Sequence, residues 1–580
     1  MTLPLPVRLR TASTLLFGCL VFASIQALAA TAAKPAPLKP AQACSSLLKA
    51  DLSAIGGDGS RVTSARETTN GGALVCAVEG QLAPSVGFVM TLPLKTWTGR
   101  FLQVGCGGLC GRASLEVGAA EGCLPLQAGG FAIASTDMGH QGMSGDFGRD
   151  PQQRADFAHR AVHLTALAAK QLIRSFYGKP AARSYFTGCS DGGREALIEA
   201  QRYPEDFDGI IAGAGALNFQ VQNSMYHAWQ ARSNTGLDGK AVLVASKLPL
   251  LHQAVLAQCD KLDGQADGLI ANPRACYVDL APLRCEPGVA ASAKCLNEAE
   301  LEAVRRLYDG PRDPETGERL TVAGPMPGSE LAWAGVFVPE SASQPIFSER
   351  IALDALRNLS FETDPPADFR LADLPFDGAT FDRLRARRPL FDATNPDLSA
   401  FAKAGGKLIL WHGWSDPHIS PLNTVAYLNA VQRVMGAAQA EAFTRLYLLP
   451  GVYHCGSGEG PSAVDFLTPL LDWVERGVAP QAVVARAPSP KEAKSNFGQP
   501  TAAGASAAPA AAAPGAPPAT TVAPNARLRP VFPYPAMAVH DGKGDPNTAS
   551  SYSGVLPPSV PALPAWRGDD FFRPYAPSVR

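Results

Sequence analysis

The sequence predicts an α/β fold, a parallel sheet with helices on its faces, interrupted by one large insertion. Three observations predict it. Short apolar runs rich in strand formers alternate with helical periodicity between about 84 and 215. The same alternation resumes from about 396. Between them, 216–395 carry four cysteines, many prolines and scattered aromatics without regular alternation. An insertion splitting one α/β domain accounts for this better than two domains in series.

The elements follow in order. Val86–Met90, Phe101–Val104 and Phe131–Ser135 read as strands, and Ala158 to Phe176 has the spacing of a helix. Ser184–Thr187 reads as strand, Glu195–Arg202 as helix and Asp208–Ala212 as a buried strand. Past the insertion, Lys407–Trp411 and Thr444–Leu449 read as strands, with helices near Thr424–Met435 and over Ser462–Arg476. One α/β body is therefore expected over 36–215 and 396–487, with an inserted domain over 216–395. Residues 501–524 are almost all Ala, Pro, Gly, Thr and Ser, so 488–526 reads as a flexible linker before a C-terminal extension over 527–580.

Composition narrows the class. The 580 residues are 46% apolar with a formal net charge of −1, so a sizeable core is affordable and the electrostatic footprint of nucleic-acid binding is missing. Arg8 and Arg10, an apolar stretch over Thr11–Gln26 and the small-residue site Ala27-Leu28-Ala29 read as an export signal over 1–29. Lipoprotein cleavage before Cys19 is the rival reading. No later stretch approaches ~20 consecutive apolar residues, so no membrane span is expected and the mature protein should be secreted or periplasmic.

Eleven cysteines remain after the signal, a number natural to an oxidising compartment. Local spacing suggests Cys44–Cys76, Cys259–Cys276 and Cys285–Cys295, although spacing alone does not fix connectivity. Because eleven is odd, at least one thiol stays free or pairs between chains. The unassigned trio is Cys106, Cys110 and Cys123.

Gly188-Cys189-Ser190-Asp191-Gly192 is a G-x-S-x-G sequence with a strand before it and a helix after it. A sharp strand-to-helix reversal exposes the serine hydroxyl, and this placement points to an α/β-hydrolase fold. Serine needs a base, and in such folds the order is serine, acid, histidine. Asp416 follows the strand Lys407–Trp411, and His454 lies just past Thr444–Leu449. Ser190, Asp416 and His454 are therefore the candidate triad. The Asp191 N–H and an amide of Gly107 or Gly108, in the glycine-rich loop after Phe101–Val104, are the candidate oxyanion hole. Cys189 precedes the serine and Cys455 follows the histidine. If the two catalytic side chains meet, their neighbours come within disulfide range.

The chain resembles the tannase and feruloyl esterase family. The resemblance runs through Phe131–His140, Gly188–Glu195, Ala200–Gly209, His412-Gly-Trp-Ser-Asp416 and His454-Cys455, and covers most of 40–485. It implies an α/β-hydrolase with a large lid before the acid residue. It also implies hydrolysis of aromatic carboxylic esters: gallates, hydroxycinnamates or, in one branch, mono(2-hydroxyethyl) terephthalate. A small aromatic ester is thus the expected partner; no oligomeric state is readable.

Asp260, Asp263 and Asp267 crowd three carboxylates between Cys259 and Cys276, which favours a hard cation. The resemblance implies structural Ca²⁺ there, with the carbonyls of Gln265 and Leu269 completing the set. His412 and Arg357 are candidate substrate contacts. Arg357 is either a cation facing a substrate carboxylate or an exposed arginine of the lid. The family's Cys-Pro-Tyr-Pro segment is here Phe532-Pro-Tyr-Pro535, and Ser553 or Gly554 stands near the partner cysteine's position, which implies loss of that bridge. A hydrolase of another acyl class, or a binding protein on the same scaffold, are the alternative functions.

Overall fold

A computed structural model describes residues 36–287, 294–488 and 527–579. The expected signal over 1–29, and the linker from 489 to 526, lie outside the described residues. Nine strands form one sheet: β1 (Arg61–Asn70), β2 (Ala73–Leu82), β3 (Val86–Pro93), β4 (Arg100–Val104), β5 (Phe131–Thr136), β6 (Arg183–Cys189), β7 (Gly209–Gly213), β8 (Lys407–Gly413) and β9 (Thr444–Leu449). Their order is β1-β2-β3-β5-β4-β6-β7-β8-β9.

The sheet is mixed. From β5 to β9 neighbouring strands run parallel, while β1, β2 and β3 pair antiparallel with one another and β3 pairs antiparallel with β5. The two antiparallel strands before Val86 are absent from the sequence reading for a physical reason. Strand β1, Arg-Val-Thr-Ser-Ala-Arg-Glu-Thr-Thr-Asn, is mostly exposed at the sheet edge, and edge strands carry polar side chains. Strands β4 and β7 are buried at every residue, as strands covered on both faces are, and β7 reads as a continuous apolar run.

Helices cover this central sheet. Ala161–Tyr177 buries eleven side chains, and helix runs into it from Pro151–Ala155 through a five-residue π-helical turn over Asp156–Arg160, so the helical stretch starts before the Ala158 that the pattern suggested. The last body helix spans Leu467–Arg476 rather than Ser462–Arg476. Asp465 accepts from the Thr468 N–H at 2.9 Å and starts the helix there, while Ala463 is held in a bridge to Arg486.

Strands β7 and β8 are direct neighbours, with Gly209 opposite Lys407 and Gly213 opposite Trp411, although nearly two hundred residues separate them. That intervening chain has its own apolar cluster, including Leu251, Leu301, Val304, Trp333 and Phe337. It nevertheless belongs with the rest of Pro37–Arg580 in one unit.

Five disulfides form: Cys44–Cys76, Cys106–Cys110, Cys189–Cys455, Cys259–Cys276 and Cys285–Cys295. The trio thus resolves into a tight loop bridge, with Cys123 a buried free thiol. No described helix is long and apolar enough to cross a membrane.

The C-terminal extension packs onto the body. Strand β10 (Val483–Arg486) pairs with β11 (Leu528–Val531), and β12 (Met537–His540) pairs with β13 (Tyr552–Val555). Trp566, Phe571 and Phe572 are buried, and Arg567 pairs with Glu318 and Asp382. In place of the missing bridge, the Phe532 ring lies against Gly554, where an added Cβ would stand 2.6 Å from a ring carbon.

Candidate active site

The site is built at the carboxyl ends of β6, β8 and β9. Ser190 turns the chain from β6 into the helix Asp191–Arg202 with φ 65° and ψ −122°, a conformation that a non-glycine residue keeps only when its surroundings enforce it. The enforcement is visible. Ser190 N–H donates to Gly213 O at 3.0 Å, and Ser190 O accepts from Gly193, Arg194 and Ala216 at 3.1, 3.2 and 3.1 Å. Gly188 lies so close to the helix start that a Cβ there would stand 2.3 Å from Gly192 O.

His454 lies in the loop after β9, with Nε2 2.8 Å from Ser190 Oγ and Nδ1 2.7 Å from Asp416 Oδ2. A carboxylate only accepts, so Nδ1 carries the proton and donates to Asp416. The bare Nε2 accepts from the serine hydroxyl, the tautomer a general base needs. The Cys189–Cys455 bridge, with Cα atoms 5.9 Å apart, joins the residue before the serine to the residue after the histidine.

Asp416 is fully buried and accepts four hydrogen bonds. Oδ2 takes His454 Nδ1–H and, at 3.0 Å, His412 Nε2–H; Oδ1 takes the backbone N–H groups of His418 at 2.8 Å and Ile419 at 3.0 Å. Burial pushes this carboxyl up, but His454 and His412 outweigh it and hold it well below the usual carboxylate range. His412 is therefore placed differently from the expectation. It is fully buried, its Nδ1 accepts from Thr424 at 2.8 Å, and it orients the acid without lining the cavity.

A small pocket opens over Ser190. Gly108 and Asp191 line it, whereas Gly107 stands one residue back in the loop and does not. Asp191 is held by Arg194 through two hydrogen bonds at 2.6 and 3.0 Å, and the buried guanidinium also donates to Ala158 O at 2.8 Å. Arg357 does not reach this cavity: its guanidinium donates to Phe369 O, 3.1 Å from Nε, within the insertion.

The sequence reading missed the cavity's distal wall. His227, Phe347 and His418 line it, with the His418 ring 4.7 Å from Phe347 and 4.8 Å from His454 between centroids. Burial, then the neighbouring His454, depress both histidines: His227 to about 3 and His418 well below the normal range. His418 stands two residues past Asp416, a position that was the available signal; nothing in the sequence marks His227 or Phe347.

On the loop closed by Cys259–Cys276, Asp260 Oδ1 accepts from the Asp267 and Gly268 N–H groups at 3.2 and 3.1 Å, and Asp263 Oδ1 from Gln265 N–H at 2.9 Å. Burial pushes Asp263 up to about 6. Asp267 is paired with Arg529 and, at 2.9 Å, with Arg527, both from the C-terminal extension. A larger, mainly apolar pocket lies nearby, between Trp414, Leu269 and residues 529–538, and no triad residue lines it.

Comparison with known proteins sets this geometry in context. The family model described as "Tannase and feruloyl esterase" matches residues 69–555. A mono(2-hydroxyethyl) terephthalate hydrolase of Piscinibacter sakaiensis is 32% identical over 549 residues, covering 83% of this chain and 85% of its own. Feruloyl esterase B of Aspergillus niger is 32% identical over 410 residues, covering 67% of this chain and 74% of its own. The crystal structure of feruloyl esterase B from Aspergillus oryzae superposes with a TM-score of 0.72 at 25% identity, covering 88% of this chain and 100% of that one.

Proposed function

The chain belongs to the tannase and feruloyl esterase family of carboxylic ester hydrolases, and from that premise we propose that it hydrolyses esters of aromatic carboxylic acids through an acyl-enzyme on Ser190. The observation that carries this reading is the unbroken chain of hydrogen bonds from Asp416 through His454 to Ser190, at 2.7 and 2.8 Å, opening on a cavity. His454 removes the serine proton as Oγ attacks the ester carbonyl, and the Asp191 and Gly108 N–H groups receive the oxyanion. His454 then protonates the leaving alcohol and activates the water that releases the acid. Buried Asp416 remains an anion throughout and stabilises the imidazolium formed in each half-reaction.

The acid moiety fits the wall of Phe219, Phe347 and Ile351, whose apolar faces suit an aromatic ring. Feruloyl and terephthalate monoesters, the substrates named for the relatives, are the first compounds to assay. The test is a fluorophosphonate label followed by peptide mapping, together with a turnover panel of gallate, ferulate and terephthalate monoesters. Label on Ser190 and turnover of an aromatic ester, both lost in Ser190→Ala, are the expected results. An unlabelled Ser190, or a variant keeping more than a tenth of wild-type activity, would overturn the reading.

Ca²⁺ is our proposal for a structural ion on this loop: Asp260, Asp263 and Asp267 stand within eight residues, and a hard cation takes such carboxylates together with carbonyls such as those of Gln265 and Leu269. It would neutralise the clustered carboxylates and stiffen the insertion, sharing Asp267 with or displacing Arg529. Export to the periplasm or medium is the accompanying proposal. It rests on the basic–apolar start of the sequence and on the five disulfides.

A further inference from the structure

We propose that the Cys106–Cys110 disulfide is a positioning device for the oxyanion hole, a role that rests on the esterase reading above. The bridge closes Gly107, Gly108 and Leu109 into a small ring, and Gly108 is the residue of that ring facing Ser190 and Asp191 across the cavity.

Both ends of the loop are anchored. Gly105 N–H donates to Thr187 O at 2.9 Å, which ties the loop to the strand carrying the nucleophile. Cys106 N–H lies 3.3 Å from a carboxyl oxygen of Glu195, on the helix that follows Ser190. Downstream, His140 Nε2–H donates to Leu109 O at 3.0 Å, and Gly111 and Gly142 exchange backbone hydrogen bonds at 2.6 and 3.1 Å.

Between the anchors the tether is different. Among the described residues the Gly107 and Gly108 N–H groups have no hydrogen-bond partner. That is the state an oxyanion donor needs, because a donor already engaged cannot receive developing charge. The same freedom leaves two consecutive glycines, the least restrained of residues, without a backbone hydrogen bond to hold their orientation. The covalent bridge supplies the missing restraint: it limits the ring to a few conformations while leaving both N–H groups open to the substrate oxygen.

An interaction made only as charge develops on oxygen changes kcat and leaves ground-state binding almost untouched. The experiment compares wild type, Cys106→Ser/Cys110→Ser and, as a control bridge away from the cavity, Cys285→Ser/Cys295→Ser. Each is assayed for kcat, KM, melting temperature, and affinity for an arylboronic acid and for the product carboxylate. A boronate takes up the serine oxygen and becomes a tetrahedral anion, so it reads the oxyanion hole directly.

The loop variant should lose about 10–100-fold in kcat, the scale set by displacements near 1 Å at catalytic groups. Its boronate affinity should fall in parallel, with KM and product affinity within about 3-fold of wild type. The control variant should lose stability with kcat and boronate affinity kept. Unchanged kcat in the loop variant, a loss shared equally with product affinity, failure of that variant to fold, or free thiols at Cys106 and Cys110 in active enzyme would each overturn the proposal. If wild type turns over no ester and Ser190 resists labelling, the esterase reading itself has failed.

Discussion

The imidazole of His418 lies 4.8 Å, centroid to centroid, from that of His454, and its own Nε2 is buried with no hydrogen-bond partner. A buried polar atom left unsatisfied costs about 1–3 kcal/mol until a ligand group meets it. His418→Leu should therefore melt no lower than wild type. It should also bind hydroxyl-bearing aromatic acids about 5–10-fold more weakly, with little change for unsubstituted ones, since one hydrogen bond is worth about 1 kcal/mol. Thermal melts and competitive inhibition by matched acid pairs give the check; equal losses for both acids would remove His418 from substrate recognition.

Asp416→Asn keeps the shape of the acid but presents an amide where four donors now converge. With its anion gone, His454 is no longer held in the tautomer that accepts the serine proton. The expected loss in kcat is about 10⁴-fold, as for the same change in other serine triads. Steady-state kinetics decides it, and a loss below 10-fold would count against Asp416 as the acid.

The Cys189–Cys455 bridge connects residues 266 positions apart and flanks both reacting side chains. Its chain-entropy contribution is about 2–5 kcal/mol, so Cys189→Ala/Cys455→Ala should melt lower. Its larger effect should be kinetic, a loss of about 10²-fold in kcat at temperatures where the variant remains folded. Kinetics at 15–20 °C below the variant's own melting temperature separates the two; wild-type kcat there would reduce the bridge to a stabiliser.

His159 accepts from the Tyr203 hydroxyl at Nδ1, 2.7 Å away, and donates from Nε2 to Val579 O at 3.3 Å. Burial, then Arg202, depress it to about 4. Since the unfolded chain takes up this proton first, its contribution is full above pH ~6.5 and is lost as pH falls toward 4. Between pH 7 and 4.5, wild type should lose about 2 kcal/mol more stability than His159→Asn, judged by urea titration at both pH values. Parallel losses in the two proteins would contradict this.

If Ca²⁺ holds Asp260, Asp263 and Asp267, chelation should lower the melting temperature, and Asp263→Ala should make it insensitive to added calcium. Calorimetry of protein stripped and reloaded checks this. Identical curves for stripped and loaded wild type would leave Asp267 to its ion pairs with Arg527 and Arg529.

The parallel half of the sheet was legible because the strand centres Phe101-Leu102, Tyr185-Phe186, Ile210-Ile211, Leu408–Trp411 and Leu446–Leu449 are buried and apolar, so burial writes itself into composition. The same strands bring Ser190, Asp416 and His454 to their carboxyl ends, and chain order together with placement after a strand ranks these three. Strand β1 was illegible because its pairing is set by main-chain hydrogen bonds at a polar edge. His412 shows a different limit: four residues from Asp416, it could face the substrate or back the acid, and its contacts to Asp416 and Thr424 decide. The distal wall was hidden because His227 and Phe347 meet only after the insertion folds over the sheet.

No cysteine follows Cys455, and where a bridge would close the tail, the Phe532 ring sits on Gly554 instead. The last part of the chain is thus held by shape, ion pairs, hydrogen bonds and β-pairing. Its attachment asks nothing of the redox state of the medium: a reductant that opens the catalytic bridge leaves the tail's own contacts chemically untouched. A single proteolytic cut between 488 and 527 would leave two polypeptides with no covalent link between them. The shorter would stay seated through Trp566, Phe571 and Phe572, so the enzyme would purify as a complementing pair.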